Sequence, residues 1–176
     1  NKMDIKQIKP FVKWAGGKSK MLKKGVFLDL LSNFDNSKMR YIEPFIGGGA
    51  VLFYLQPKKA IINDLNKQLI NCYKVTSNHS QLEKLLERID SKYEKNKYNE
   101  QFYYNERRII YNNEIKSAAQ FLYLNKRCFN GLFRVNKNNQ FNVPFGKYKK
   151  INIYDKNNLL NVNYFLSKNN IEIHNT

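Results

Sequence analysis

The feature that most constrains the fold is a run of three glycines, Gly47 to Gly49, inside the sequence YIEPFIGGGAVLF. Glycine loses more conformational freedom on folding than any other residue, so such a run indicates a sharp turn or a close approach of another group to the backbone. A second apolar stretch, KKAIINDLN, follows. Strand, glycine turn, helix and second strand make the β-α-β pattern of a parallel sheet. We therefore expect an α/β fold whose parallel sheet begins within residues 10–66.

Asp64 stands at the end of the second predicted strand, 17 residues after Gly47. A glycine turn of this kind lets a ligand rest against bare backbone, and an acid roughly 20 residues further on can hold a ribose. The glycines do not match GxGxxG, so a nucleoside without a pyrophosphate fits as well as a dinucleotide. A tight turn with a helix-capping aspartate explains the same residues equally well, and both interpretations stay open.

The region from 67 to 128 contains no glycine. Apolar residues recur there at helical spacing, at Leu82, Leu85, Leu86 and Ile89, and the stretch EIKSAAQFLYLNKRCF gives a second apolar face. A spacing of three and four residues places side chains on one face of a helix. This region is therefore predicted to be helical.

The stretch NGLFRVNKNNQFNVPFG alternates apolar and polar residues on both sides of a polar NKNNQ turn. This pattern predicts a β-hairpin. A helix and the start of another strand are predicted after residue 150. The chain would then comprise a first part of the sheet domain over 1–66, a helical and hairpin insertion over 67–150, and a return to the sheet domain over 151–176.

The charge balance indicates the kind of partner. Lysine and arginine number 31 against 14 aspartate and glutamate residues, a net charge of +17. Such an excess favours a polyanionic partner, nucleic acid above all. An AT-rich coding sequence could explain the preference for lysine over arginine, but it does not explain the shortage of acidic residues.

The cysteines and the apolar stretches exclude other classes. Cys72 and Cys128 show no CxxC spacing and no partnering histidine cluster, so no disulfide framework or zinc site is expected, and a reducing cytoplasm fits best. No apolar stretch approaches the length of a membrane span, and the N-terminal residues lack the apolar core of a signal peptide. We expect neither membrane association nor export.

The stretch FVKWAGGKSKML favours one interpretation. Here the sequence resembles the Dam-type family of DNA adenine-N6 methyltransferases, whose N-terminal signature is a K-W-x-G-G-K element. EPFIGGGAVLF resembles the glycine-rich cofactor loop of that family, INDLN its ribose-binding strand end, and CFNGLFRVNKNNQFNVPFGKYKK its DNA-reading hairpin. The resemblance implies a Rossmann-like S-adenosylmethionine-dependent methyltransferase sheet, incomplete in this chain, with residues 67–150 as the target-recognition domain.

The resemblance also implies a cofactor site for S-adenosylmethionine. In such a site Trp14 offers an apolar or cation–π contact to the sulfonium, although core packing is the commoner use of a lone tryptophan. Lys18 can pair with the carboxylate, and Asp64 can accept hydrogen bonds from the ribose. The implied cofactor residues are Trp14, Lys18, Glu43, Phe45, Gly47, Gly49 and Asp64.

The same resemblance implies a surface that binds double-stranded DNA. The residue matching Phe129 wedges into the duplex in the family, where tyrosine is common, and the arginine matching Arg134 can donate two hydrogen bonds to guanine. The shared NGL-x-R sequence implies recognition of GATC. The run KYKK resembles a set of phosphate binders, although a solvated charge run is the simpler interpretation of those letters. The implied DNA-binding residues are Lys13, Phe129, Asn130, Leu132, Arg134, Pro144, Lys147, Tyr148 and Lys149, with Lys150 beside them.

One element of the family is missing. Methylation of adenine N6 requires the base to leave the stack, and the family then holds its amino group with an Asp-Pro-Pro-Tyr motif. The prolines here, Pro10, Pro44, Pro57 and Pro144, are never adjacent. We therefore expect no catalytic residue in these 176 residues and a complementary C-terminal polypeptide or segment that supplies the motif. A DNA-binding module without catalysis is the alternative.

Overall fold

The computed structural model describes residues 7–176 and contains a parallel sheet of the strands β1 Tyr41–Glu43, β2 Lys59–Asn63 and β3 Asn170–His174. The strands run in the order β1-β2-β3, with residue 41 beside residue 60 and residue 59 beside residue 170. The predicted parallel β-α-β arrangement is confirmed, and so is the strand expected after residue 150.

The helices follow the expected pattern, and most of the longer ones begin at an asparagine. Asn66, Asn78, Asn99 and Asn113 each accept a hydrogen bond from the N–H three residues further on, which satisfies one of the free donors of a helix start. A π-helical turn, Ile89–Tyr93, continues the helix His79–Arg88. The helices are α1 Ser19–Lys23, α2 Leu28–Ser32, α3 Ala50–Leu55, α4 Lys67–Ser77, α5 His79–Arg88, α6 Glu100–Arg107, α7 Glu114–Arg127 and α8 Lys156–Lys168.

The hydrophobic core is one continuous cluster that joins the sheet to the helices. It contains the apolar side chains predicted for the buried face of α5, together with Ala60 and Ile62 of β2. Helix α7 is buried on all its faces from Ala118 to Asn125, after a more exposed first turn. Because residues from before, within and after the range 67–150 share this core, the division into a sheet domain and an insertion stays a prediction.

The predicted hairpin has its antiparallel course but no continuous strands. Only isolated antiparallel bridges join it among the described residues, at Val135 with Phe141 and at Cys128 with Phe145. Asn136 instead accepts hydrogen bonds from backbone N–H groups across the turn, and Pro144 has no N–H to give to a ladder. We call residues 128–148 the hairpin loop.

Candidate nucleoside cleft and nucleic-acid interface

A cleft of about 720 Å³ opens where β1 and β2 end. Its walls are the segment 13–20, the loop 43–50 and Asp64, which follows β2 directly. Ligands of open α/β sheets bind outside the carboxyl ends of the strands, and volumes of 300–1,000 Å³ are usual for small-molecule sites. The position and size of this cleft therefore suit a ligand such as a nucleoside.

The glycine run is explained by two side chains that touch its backbone. Gly47 and Gly49 have left-handed φ angles of +51° and +75°. A Cβ on Gly47 would lie 2.8 Å from Cδ1 of Trp14, and a Cβ on Gly49 would lie 2.6 Å from the hydroxyl of Tyr73. The Tyr73 hydroxyl also donates to the carbonyl of Gly47 over 2.9 Å. Only glycine fits both positions, because each needs a left-handed backbone and has no room for a side chain.

Asp64 forms hydrogen bonds with the backbone of the glycine turn and with that of the segment before α4. Its carboxylate accepts from the backbone N–H of Gly47 at 3.1 Å and from that of Asn66 at 3.0 Å. The cap of α4 is Asn66, which accepts from Leu69, so the helix-capping interpretation of Asp64 is wrong. A carboxylate has about four acceptor positions, so Asp64 retains capacity for the hydroxyls of a ribose.

Lys18 and Glu43 form an ion pair at the edge of the cleft. Glu43 is only 6% exposed, and it accepts from the ammonium of Lys18 at 2.9 Å and from the hydroxyl of Tyr41 at 2.6 Å. A buried carboxylate needs such partners. Burial, and next the bond to Glu43, raises the pKa of Tyr41, so that hydroxyl stays a donor. Lys18 thus already has an anionic partner and would have to share its charge with a ligand carboxylate.

Trp14 serves as core and as cleft wall at once. Its ring stacks on Phe133 at 5.8 Å and tilts against Phe121 at 6.3 Å, while it also lines the cleft below Gly47. Phe45 lies at the mouth of the cleft and is exposed. The cleft therefore brings together all of the predicted cofactor residues, and core packing of Trp14 is compatible with contact to a ligand.

The hairpin loop presents most of the predicted DNA-binding residues to solvent. Phe129 is 49% exposed, and its N–H donates to the carbonyl of Pro144. Asn130 has a left-handed φ of 53° and donates its N–H to the hydroxyl of Tyr148 at 2.7 Å. Leu132 and Tyr148 differ, because both are half-buried, and Leu132 packs against the core. The exposed members of the set are Lys13, Phe129, Asn130, Arg134, Pro144, Lys147 and Lys149.

Arg134 is exposed but already shares its guanidinium with the opposite side of the loop. Its Nε donates to the side-chain oxygen of Asn142 at 2.8 Å, and Nη2 donates to the carbonyl of the same residue at 3.2 Å. Arginine has five N–H donors, so these bonds hold the fork in one direction and leave donors for a base edge.

Lys13 lies between the cleft and the hairpin loop. Its backbone is bonded to a residue that the sequence analysis did not identify. Its backbone N–H and carbonyl both bond to the side chain of Asn125, at 2.8 and 2.7 Å. Its ammonium lies 5.0 Å from the ring centre of Tyr148. A Cβ on Gly131 would come within 2.6 Å of Lys13 Cβ. In the sequence, Asn125 could have been recognised as a polar residue within the apolar face of α7.

Both cysteines of the described residues are free and buried. Burial raises the pKa of Cys72 to about 12 and that of Cys128 to about 11, so both free thiols stay protonated. Within 7–176, no group of three or more histidine, cysteine, aspartate or glutamate side chains could hold a metal ion. The same residues contain no helix with the length and apolar character needed to cross a bilayer.

The parallel sheet, the glycine turn and the acid after the second strand define an α/β protein with a cleft at the carboxyl ends of its parallel strands. The family model of D12 class N6 adenine-specific DNA methyltransferases matches residues 14–176. The chain belongs to this family, and the resemblance found in its motifs is confirmed.

The chain is also similar to proteins named type II methyltransferases and DNA adenine methylases. The chain is 43% identical over 175 residues to type II methyltransferase M.MjaIII of Methanocaldococcus jannaschii, covering 91% of this chain and 60% of that protein. It is 38% identical to type II methyltransferase M1.LlaDCHI of Lactococcus lactis subsp. cremoris (94% and 57% covered) and 35% identical to a DNA adenine methylase of Haemophilus influenzae (80% and 48%). The chain thus spans about half to three fifths of the length of these relatives.

Proposed function

We propose that the chain provides the cofactor cleft and the DNA-reading surface of an S-adenosylmethionine-dependent DNA adenine-N6 methyltransferase. The observation that carries this proposal is the position of the segment Lys13–Trp14. Trp14 lies against Gly47 on the cleft side and against Phe133 on the hairpin-loop side, and Lys13 lines the cleft while its ammonium faces Tyr148. A methyl donor in the cleft would therefore sit beside a duplex held by the hairpin loop.

The residues of the cleft fit the parts of S-adenosylmethionine, which when bound supplies an electrophilic methyl group. The glycine backbone, open on the cleft side, allows an adenosine to approach closely. Asp64 accepts from ribose hydroxyls, and Lys18, paired with Glu43, offers its charge to the amino-acid tail. The rings of Trp14 and Phe45 are apolar walls that exclude water and can face a sulfonium.

The proposed target is the adenine of GATC. The sequence Asn130-Gly131-Leu132 followed by Arg134 supports this site through the family resemblance, and a guanine in a short palindrome suits a bidentate arginine. Phe129 would enter the duplex, since its exposed ring can stack on bases. The exposed lysines at 147 and 149 would contact phosphates.

Methyl transfer is proposed to need a further segment or partner chain that carries Asp-Pro-Pro-Tyr. The free edge of β1 supports this, because β1 pairs only with β2 among the described strands and its Ile42 is exposed. Beside this edge lies an apolar hollow of about 700 Å³, lined by Leu30, Phe34, Met39 and Ile42 among others. An edge strand next to exposed apolar surface is a template for another strand. We propose that the strand preceding the catalytic motif docks there.

The direct test supplies labelled S-adenosylmethionine and a GATC duplex to the purified chain, with and without the segment that carries the motif. The chain alone should transfer no methyl group, and the completed protein should label adenine N6. Turnover by the chain alone, free of contaminating enzyme, would contradict the need for a further segment. A completed protein that labels no adenine would contradict the proposed function.

The alternative is a DNA-binding module without catalysis, for which the net charge of +17 and the hairpin loop suffice. Cofactor binding separates the two functions. Calorimetric titration of the completed protein with S-adenosylmethionine should give saturable binding if the methyltransferase proposal holds. DNA binding without any cofactor binding would favour the alternative.

A further inference from the structure

Arg127 is a buried cation that the proposed function has not yet used. It is the last residue of α7 and is 1% exposed. The ion pairs formed among residues 7–176 do not include it. Burying a charge without partners is costly. The groups that bond to Arg127 in place of a carboxylate therefore indicate the role of this side chain.

Backbone carbonyls and aromatic rings surround the guanidinium. Nη2 donates to the carbonyls of Gly146 and, at 3.1 Å, of Tyr148, and Nη1 donates to the carbonyl of Lys97 at 3.2 Å. The ring centre of Phe145 lies 4.2 Å from Cζ. The backbone also bonds in the opposite direction, from the N–H of Gly146 to the carbonyl of Arg127 at 2.9 Å. One side chain therefore joins the end of α7 to the end of the hairpin loop and to the segment after α5.

The bonds continue from Arg127 to the exposed turn of the hairpin loop. Tyr148, whose carbonyl Arg127 binds, accepts from the N–H of Asn130 with its hydroxyl. Asn130 has a left-handed backbone, which asparagine tolerates better than most residues, and the bond to Tyr148 holds its N–H in that turn. Phe129, directly before it, points its half-exposed ring outwards.

We propose that Arg127 is a positioning residue for DNA recognition, which fixes the segment Phe145–Tyr148 so that Phe129 and Asn130 meet the duplex in a preformed arrangement. This inference rests on the proposed function. Arg127 itself does not touch DNA, because it is buried. A preformed turn avoids the cost of ordering the loop on binding, and it holds the base-reading groups to one geometry. Arginine suits this position better than lysine, since a planar fork reaches several carbonyls that a point charge cannot.

The experiment compares Arg127→Lys with Arg107→Lys in the completed protein. Arg107 offers a matched control because it also donates to a hairpin-loop carbonyl, that of Val143 at 2.9 Å, which keeps a second donor in Tyr103 at 2.7 Å. Fluorescence anisotropy would give the affinity for a GATC duplex and for duplexes changed at one base. We expect Arg127→Lys to reduce the ratio of these affinities about tenfold, the scale of one lost base contact, and Arg107→Lys to leave it within about twofold.

A second variant keeps the test informative if Arg127→Lys fails to fold. Tyr148→Phe removes only the hydroxyl that accepts from Asn130. It should also reduce the affinity ratio, and combined with Arg127→Lys it should cause little additional loss, since both act on one chain of bonds. Cofactor affinity should stay unchanged in each variant.

The outcomes separate the inference from the proposed function. If the unchanged protein binds every duplex equally or binds none, the proposed recognition fails and the inference with it. If the unchanged protein discriminates and the variants lose only stability, with the ratio intact, Arg127 is structural and the inference alone is overturned. Additive losses in the double variant would likewise overturn it.

Discussion

At the scale of single residues, the cofactor cleft depends on a few side chains that have more than one task. Asp64 supports the glycine turn and is proposed to hold the ribose, and Trp14 packs in the core and forms the cleft wall. Both residues line the cleft, and their contact with a cofactor stays a prediction. The sequence could not show that Lys18 is already paired with Glu43, because no local spacing rule links residues 25 positions apart.

Replacing Asp64 by alanine tests the cofactor site. The change removes charge-assisted hydrogen bonds worth about 1.5–3 kcal/mol, so S-adenosylmethionine should bind roughly 10- to 150-fold more weakly. DNA affinity should be nearly unchanged. Titration calorimetry on the completed protein gives both values, and Glu87→Ala, an exposed carboxylate on α5, is the matched control. Unchanged cofactor affinity in Asp64→Ala would leave Asp64 only its support of the glycine turn.

Substitutions at two glycines with similar backbone angles would distinguish the cost of backbone strain from the cost of steric overlap. Gly16 and Gly49 have φ angles of +73° and +75°, but a Cβ meets nothing within 4 Å at Gly16 and overlaps Tyr73 and Phe53 at Gly49. Gly16→Ala should lower the free energy of unfolding by about 1–2 kcal/mol. Gly49→Ala should cost about 1–3 kcal/mol more, because the core must shift. Urea denaturation measures both, and equal losses would show that Tyr73 moves aside freely.

At the scale of elements, the hairpin loop shows where sequence patterns stop being sufficient. Alternating apolar residues correctly indicated an antiparallel course around NKNNQ, yet the loop forms isolated bridges instead of strands. Side-chain bonds of Asn136 and the cross-loop bonds of Arg134 supplement the few backbone hydrogen bonds that cross the loop. The alternation of apolar and polar residues shows which face of a segment is buried. It does not show which groups form hydrogen bonds with the backbone.

The hairpin loop should separate base reading from phosphate binding. Arg134→Ala removes the fork proposed to read guanine, so it should reduce discrimination at that base by about 1–3 kcal/mol and affect random DNA less. Lys149→Ala should weaken binding to all duplexes alike and make the salt dependence shallower. Anisotropy titrations on GATC duplexes and on singly changed duplexes distinguish the two. Equal losses on every duplex for Arg134→Ala would rule out its role as the guanine reader.

At the scale of the whole molecule, the excess of positive charge affects the pKa of a partly buried lysine as well as the character of the surface. Burial, and then the charge of Lys13, lowers the pKa of Lys126 from 10.5 to about 8. Between these values the unfolded chain binds more protons than the folded protein, so this residue makes stability rise as pH increases from about 8 to 10.5. Below pH 8 the protein carries the cost of a partly buried ammonium.

The variant Lys126→Met should therefore be more stable than the unchanged protein at pH 7. The gain should be at most about 3 kcal/mol, and less to the extent that the side chain keeps some solvent contact. It should shrink as the pH approaches 10. Urea denaturation at several pH values measures this difference directly. Parallel stability curves for the two proteins would show that Lys126 keeps its proton when folded.

The sequence by itself determined the parallel β-α-β start, the buried faces of the helices and the basic character, because these follow from local periodicity, glycine geometry and composition. The family followed separately, from the resemblance of four motifs. Only the tertiary structure decided which distant groups meet. It joined Lys13 to Asn125 across 112 residues, paired Lys18 with Glu43, and gave Arg127 carbonyls in place of a carboxylate. The physical reason is that local rules reach only neighbouring turns of a helix or adjacent strand positions, whereas these contacts depend on how whole elements pack.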